Sequence, residues 1–366
     1  MSDDIKYWIW LSSLVKITPR KRYELIGHFG SPALLWHAQE KELQELSFLD
    51  KGMIGHIMDK QKRKEARHHY EKLVSLDIDI VTLESSLYPK ALKDIYDPPV
   101  ALYIKGKLVK EEQAIAVVGS RRATPYGLET AERLAAGLSG YGLTIVSGMA
   151  RGIDSKAHKG ALQAGGRTIA VLGCGLDIVY PSENKELMKN ICTNGAVISE
   201  YLPGIPPIAF NFPARNRIIS GMSLGVAVIE ANEKSGSLIT ANFALEQGRE
   251  VFAIPGNINS SNSTGTNKLI RDGAKIILDL ADILDELKMP HGDNNNFYMG
   301  GSGTSTAGLD AEEKKIIKRL EKGPWHIDAL AAECNLSVNG TGAALVMLEL
   351  KGMVEQLPGK IYKLAK

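Results

Sequence analysis

Residues 117–127 read VVGSRRATPYG. An apolar run enters a Gly-Ser turn, two arginines follow, and Thr124-Pro125 has the chemistry that caps and opens a helix. A strand that passes through glycine into a helix is the junction of a parallel α/β unit, with its turn at the strand's carboxyl end. Such turns hold phosphates. Those that hold a nucleotide carry further glycines, and this one carries two bulky cations instead.

Outward from this turn the pattern repeats. AIAVVG, LTIVSG, RTIAVLG, AVISE, GVAVIE and EVFAIPG are short β-branched runs, mostly separated by segments of helical length and spacing. Alternating buried strands and helices predict a mostly parallel α/β sheet covered on both faces. Right-handed crossovers then gather the strand-to-helix loops on one edge, where open sheets bind ligands. Residues 76–287 hold this sheet. Residues 1–75 show three- and four-residue apolar spacing, with Gly27 and Gly30-Ser31-Pro32 as stops, and predict a helical domain. Its basic run KQKRKEARHHYEKL (60–73) reads as a solvated helix face. Residues 288–308, rich in Gly, Asn, Ser and Thr, read as a flexible linker. Residues 309–366 give three helices and a hairpin closed at Pro358-Gly359, the order of a winged helix-turn-helix.

Lysine and arginine number 44 against 42 aspartates and glutamates, a formal net charge of +2. Polyanion binding therefore has to come from local clustering of cations. No apolar run approaches the ~18 residues that cross a bilayer, and the start MSDDIKYWIW is no secretion signal. Cys174, Cys192 and Cys334 are scattered and odd in number, and read as reduced thiols of a cytoplasmic protein.

The predicted binding edge carries cations in most of its loops. The first loop has Gly119, Ser120, Arg121 and Arg122, and the second has Gly148 and Arg151. The third, GCGLDIVYPSENK, has Lys185; the fourth has Arg215, Asn216 and Arg217 just inside a helix opened by Pro213. The fifth has Lys234, Ser235, Gly236 and Ser237 at another helix start. Helix N-termini offer N–H groups and a favourable dipole to anions, and arginine forks grip phosphate oxygens. Together these loops predict a phosphate-binding rim. Lys156 and Lys159 read as helix-surface cations. Tyr126, Tyr180, Phe210 and Phe212 are flat side chains beside the loops and candidates for base stacking, Phe212 being equally suited to the core.

Other chemistries lack their signatures. G-x-G-x-x-G is missing from the first turn. GALQAGGRT (160–168) lacks the Lys-Ser/Thr end of a phosphate loop and sits where a helix ends, so Gly165-Gly166 reads as a C-cap. No His/Cys/Asp cluster has metal spacing, and no G-x-S-x-G elbow occurs. Asp154 reads as a helix N-cap, and His158 as a satisfied surface or interface residue.

The segments GSRRATPYG, IVSGMARGIDSKAHKGAL, LGCGLDIVYPSEN, FPARNRIISG, SGSLITANFALEQGREVFAIPG and YPKALKDIYDPPVALYIKG resemble the DNA processing protein A (DprA, or Smf) family, densely over residues 80–285. The resemblance implies an extended Rossmann-like domain between an N-terminal helical domain of the SAM or helix-hairpin-helix type and a C-terminal winged helix. It implies a non-enzymatic, cofactor-free protein that binds single-stranded DNA, protects incoming DNA in natural transformation, loads RecA and forms a homodimer. Arg121 then makes the main phosphate contact, with Gly119, Ser120, Arg215, Asn216, Arg217, Gly236 and Ser237 around it. Ser182 stands where some relatives have lysine, which leaves Lys185 as that loop's cation.

Two other functions are open to a chain of this pattern. Nucleotide phosphoribohydrolases of the LOG type use the same sheet edge with a P-G-G-x-G-T-x-x-E motif, whereas KSGSLITANFAL (234–245) contains no carboxylate. A transcription regulator would rely on the winged helix. Its recognition segment SVNGTGAALVMLEL has no cation, which makes it a weak groove reader and a better protein-binding surface.

Overall fold

The computed structural model describes residues 4–290, 310–320, 323–350 and 353–364. The chain divides into two compact units, Met1–Phe297 and Tyr298–Lys366. The segment expected to be a linker, 288–308, lies outside the described residues from position 291 onward.

The first unit is built on a sheet of β1 (Asp79–Thr82), β2 (Ala101–Gly106), β3 (Ala114–Val118), β4 (Thr144–Ser147), β5 (Thr168–Leu172), β6 (Gly195–Ser199), β7 (Gly225–Val228), β8 (Glu250–Ala253) and β9 (Lys275–Ile276). Their spatial order is β1-β2-β6-β5-β4-β3-β7-β8-β9. Pairs from β6 to β9 are parallel, whereas β2 runs antiparallel to both β6 and β1. Strands β3 to β6 are buried at every residue, as unbroken apolar runs require when helices cover both faces. From β3 the chain steps through β4, β5 and β6 on one side, then returns to lay β7 and β8 on the other. This reversal opens a crevice between β3 and β7, beyond their carboxyl ends. The helices Pro125–Gly140 and Ile153–Gln163 cross tightly beside it, since a Cβ on Gly160 would run into the Glu132 carbonyl.

Residues 5–75 form six helices, from Ile5–Ser13 to Lys60–Ser75. Side chains of Thr18, Ser31, Asp50 and Asp59 accept the free N–H groups at four of their starts. Trp8, Trp10, Leu25 and Leu35 belong to the same apolar core as the sheet, and the Ser12 hydroxyl meets that of Tyr103 on β2. Helices and sheet are therefore packed as one unit. Among the described residues no helix is long and apolar enough to cross a membrane.

In the second unit, helices Ala311–Leu320, Ile327–Cys334 and Val338–Leu350 enclose Ile316, Leu330 and Leu345. The expected hairpin is β11 (Val354–Leu357) with β12 (Ile361–Leu364), and the short strand β10 (Trp325–His326) pairs on its other side. The last helix leaves Val338, Val346 and Met347 exposed.

Candidate nucleic-acid interface

The crevice at the β3/β7 reversal is a cleft of about 710 Å³. Gly119, Ser120, Arg121 and Arg122 line it after β3, Arg215 and Asn216 from the helix Asn211–Gly221, and Lys234, Gly236 and Ser237 after β7. Loops remote in sequence are thus brought together, as the topology predicts. Lys234, the cation of the fifth loop, lines the cleft beside the glycine and serine of that loop. Its place beyond the end of β7 is the signal that marks it.

Arg121 dominates the rim. It is exposed, and its guanidinium lies 5.3 Å from the centroid of the Phe212 ring. Phe212 in turn faces Tyr180, with centroids 5.4 Å apart and planes inclined by 32°. The three make a stacked wall of two rings and a planar cation, a surface suited to unstacked bases beside a phosphate. Among the described residues, Arg121, Arg122 and Lys234 form no ion pair.

The floor is different. Arg215 is 4% exposed, donates from Nη1 to the Val171 carbonyl, and faces Asp154. Burial lowers its pKa to about 10, against the opposing pull of Asp154. Asp154 was expected to be a helix N-cap; it sits in the first turn of Ile153–Gln163, behind Gly152, and accepts the Gly148 N–H at 3.2 Å. Burial raises its pKa, and Arg215 opposes that. Gly148 is glycine for room, because a Cβ there would strike the Arg215 guanidinium. It faces Arg215 and does not line the main cleft.

Helix starts contribute less than anticipated. The Glu230 carboxylate accepts the Thr124 N–H at 2.9 Å and the Thr124 hydroxyl, and so occupies the N-terminal end of Pro125–Gly140. Asp154 occupies that of Ile153–Gln163. Gly236, at the start of Gly236–Glu246, opens into the cleft.

A family model described as DNA recombination-mediator protein A matches residues 79–288, and one described as DprA winged helix domain matches residues 302–360. The chain belongs to the DprA family. It is 34% identical to protein Smf of Synechocystis over 98% of both chains. It is 50% identical to DNA processing protein DprA of Streptococcus pneumoniae over 55% of this chain and 71% of that one. The crystal structure of DprA from S. pneumoniae superposes with a TM-score of 0.64 at 37% identity, covering 78% of this chain and 99% of that chain. DprA from Helicobacter pylori, whose structure was described for its single-stranded DNA binding mode, gives 0.51 at 35% identity, over 57% and 96%.

Several positions expected on the rim lie off the cleft. Arg217, expected on the rim, is 3% exposed and bonded to Asp97 at 3.0 Å and Glu200 at 2.8 Å. Burial opposes its charge, but the two carboxylates prevail and its pKa is raised. It is a structural cation and is withdrawn from the phosphate set. Lys185 is exposed at the start of Lys185–Asn194 and is not on the cleft wall. Tyr126 and Phe210 are 51% and 81% exposed and also lie outside that wall. His158 is buried, its Nδ1 2.6 Å from the Thr168 hydroxyl, and not at the surface. Among the described residues no His, Cys, Asp and Glu group could hold a metal.

Proposed function

We propose that this chain binds single-stranded DNA in the β3/β7 cleft without regard to sequence, protects it, and delivers it to RecA during transformation and recombination. The observation that carries the reading is the Tyr180–Phe212–Arg121 stack beside the unpaired Arg122 and Lys234. A single strand offers successive phosphates with bases splayed alongside, and asks for spread cations and flat side chains on an open rim. Gly119, Ser120, Asn216, Gly236 and Ser237 would support the backbone from the sides. The relationship to the H. pylori DprA of known single-stranded DNA binding mode points the same way.

The chain acts as a mediator with no reaction of its own on DNA and forms a homodimer. Edge strand β9, with Ile276 41% exposed and Leu278 59% exposed beyond it, is the candidate contact. The helical residues 1–75 and the winged helix 309–366 serve as accessory modules, the latter binding protein.

Salt-titrated anisotropy with single- and double-stranded oligonucleotides tests the first claim. Affinity for the single strand should be higher and fall steeply with salt. Equal affinity for both forms, or salt-independent binding, would refute it. RecA loading is tested by RecA filament growth on DNA covered with single-strand-binding protein, with and without this chain.

A further inference from the structure

Lys72 reaches from the helical residues to the loops that build the cleft. It stands near the end of the helix Lys60–Ser75, whose backbone is fixed there by Leu73, 2% exposed in the shared core. Its Nζ lies 3.3 Å from Asp177 Oδ2. Asp177 belongs to the loop after β5, three positions before Tyr180. Its Oδ1 accepts the Gly204 N–H at 2.8 Å, from the loop after β6. One carboxylate thus joins three parts of the chain that are remote in sequence. The loop after β5 carries Tyr180 of the stack, and the loop after β6 carries Pro207 and Ala209 of the cleft lining.

The packing around Asp177 is close. A Cβ on Gly175 would come within 2.6 Å of Oδ1 and 2.7 Å of the Leu202 carbonyl oxygen, and the Gly175 N–H donates to the Ile205 carbonyl at 2.9 Å. A Cβ on Gly204 would meet Lys72 Nζ at 3.0 Å. An isolated ion pair with side chains 36% and 19% exposed contributes little to stability by itself. Here it closes a knot of two loops, and its effect falls on where Tyr180 stands. A wall fixed before its ligand arrives lowers the ordering cost of binding. We propose that Lys72 and Asp177 are positioning residues for the single strand: their bridge holds Tyr180 against Phe212, so that the helical residues shape the site without touching the strand. This rests on the reading of the cleft as the strand's site.

The test separates positioning from direct contact, with an oligothymidylate of about 20 nucleotides as the probe. Lys72→Glu sets like charge against Asp177 and should weaken binding about three- to fivefold with the salt slope unchanged. Lys72→Arg should bind as the wild type does. In a Tyr180→Ala background, Lys72→Glu should cost nothing further. Lys72→Glu combined with Asp177→Asn should regain most of the loss, since the amide still accepts from Gly204 and no longer repels. Without DNA, amide hydrogen exchange over 173–180 and 202–209 should quicken in Lys72→Glu. An equal loss in the wild-type and Tyr180→Ala backgrounds, a flattened salt slope, or unchanged exchange in both loops would overturn the proposal. Wild-type affinity in Arg121→Ala would instead sink the cleft reading, and the exchange measurement would still report the clamp.

Discussion

The Arg121 guanidinium rests over the Phe212 ring, 5.3 Å from its centroid, at the edge of the cleft. The arginine comes from the turn after β3 and the ring from a helix more than ninety positions on. Each fixes the other. The ring gives the cation a defined direction, and the cation covers one ring face.

Arg121→Ala should therefore lower single-strand affinity at least tenfold, similarly for every sequence, and reduce the salt slope by about 0.7. Phe212→Ala removes the platform as well as the orientation, and should cost about 1–3 kcal/mol of binding. Anisotropy titrations at several salt concentrations measure both. Wild-type binding by either variant would remove the stack from the site.

Arg217→Ala should behave in the opposite way. It strands the Glu200 carboxylate, itself buried, and should destabilise the fold by about 3–5 kcal/mol in urea titrations. The salt slope of DNA binding, measured on the folded fraction, should stay at the wild-type value. A flattened slope would return Arg217 to the phosphate contacts.

Gly148→Ala forces the Arg215 guanidinium from its seat on the Val171 carbonyl. Overpacking of this kind costs about 1–3 kcal/mol. Thermal melting should show the loss, and Gly148→Ala with Arg215→Met should recover part of it. Additive losses in the double variant would mean that the two positions do not touch.

His158 sets an acid limit. Burial first, then the nearby Arg215 charge, push its pKa from 6.5 to about 3. The unfolded chain takes up this proton near 6.5 and the fold only near 3, so its stabilising contribution is complete above 6.5 and is lost as pH falls through that window. The slope is about 1.4 kcal/mol per pH unit. Asp154, raised by burial, contributes with opposite sign, and a comparison of two proteins that both carry it cancels that part. Urea midpoints between about pH 7 and 5 should fall more steeply for the wild type than for His158→Gln. Parallel lines would contradict this.

The parallel core was legible because strands covered on both faces need unbroken β-branched runs, and Ala114–Val118 or Thr168–Leu172 have no other use. Strand β9 was not, since two residues carry no period. The site was legible as a set of loops but not as a set of side chains. Arg215 and Arg217 stand two apart on one helix, so they point to nearly opposite faces. Which one meets the cleft depends on Asp97, which is 120 residues from Arg217 in sequence. Tyr126 and Phe210 lie beside the cleft lining and not in it, because a position next to a loop does not say which way a ring turns.

Glu230 gives the fold a selectivity that its cations alone would not. In a dinucleotide-binding domain the first helix start receives a pyrophosphate. Here a fixed carboxylate fills that berth, so a free mononucleotide meets like charge where its densest charge would seek to lodge. A phosphodiester chain bound as proposed, with one charge per link spread over many links, would pass along the outer arginines and leave that helix start to Glu230. The abundant soluble nucleotides of a cell should then be poor competitors, and the groove stays vacant for polymer.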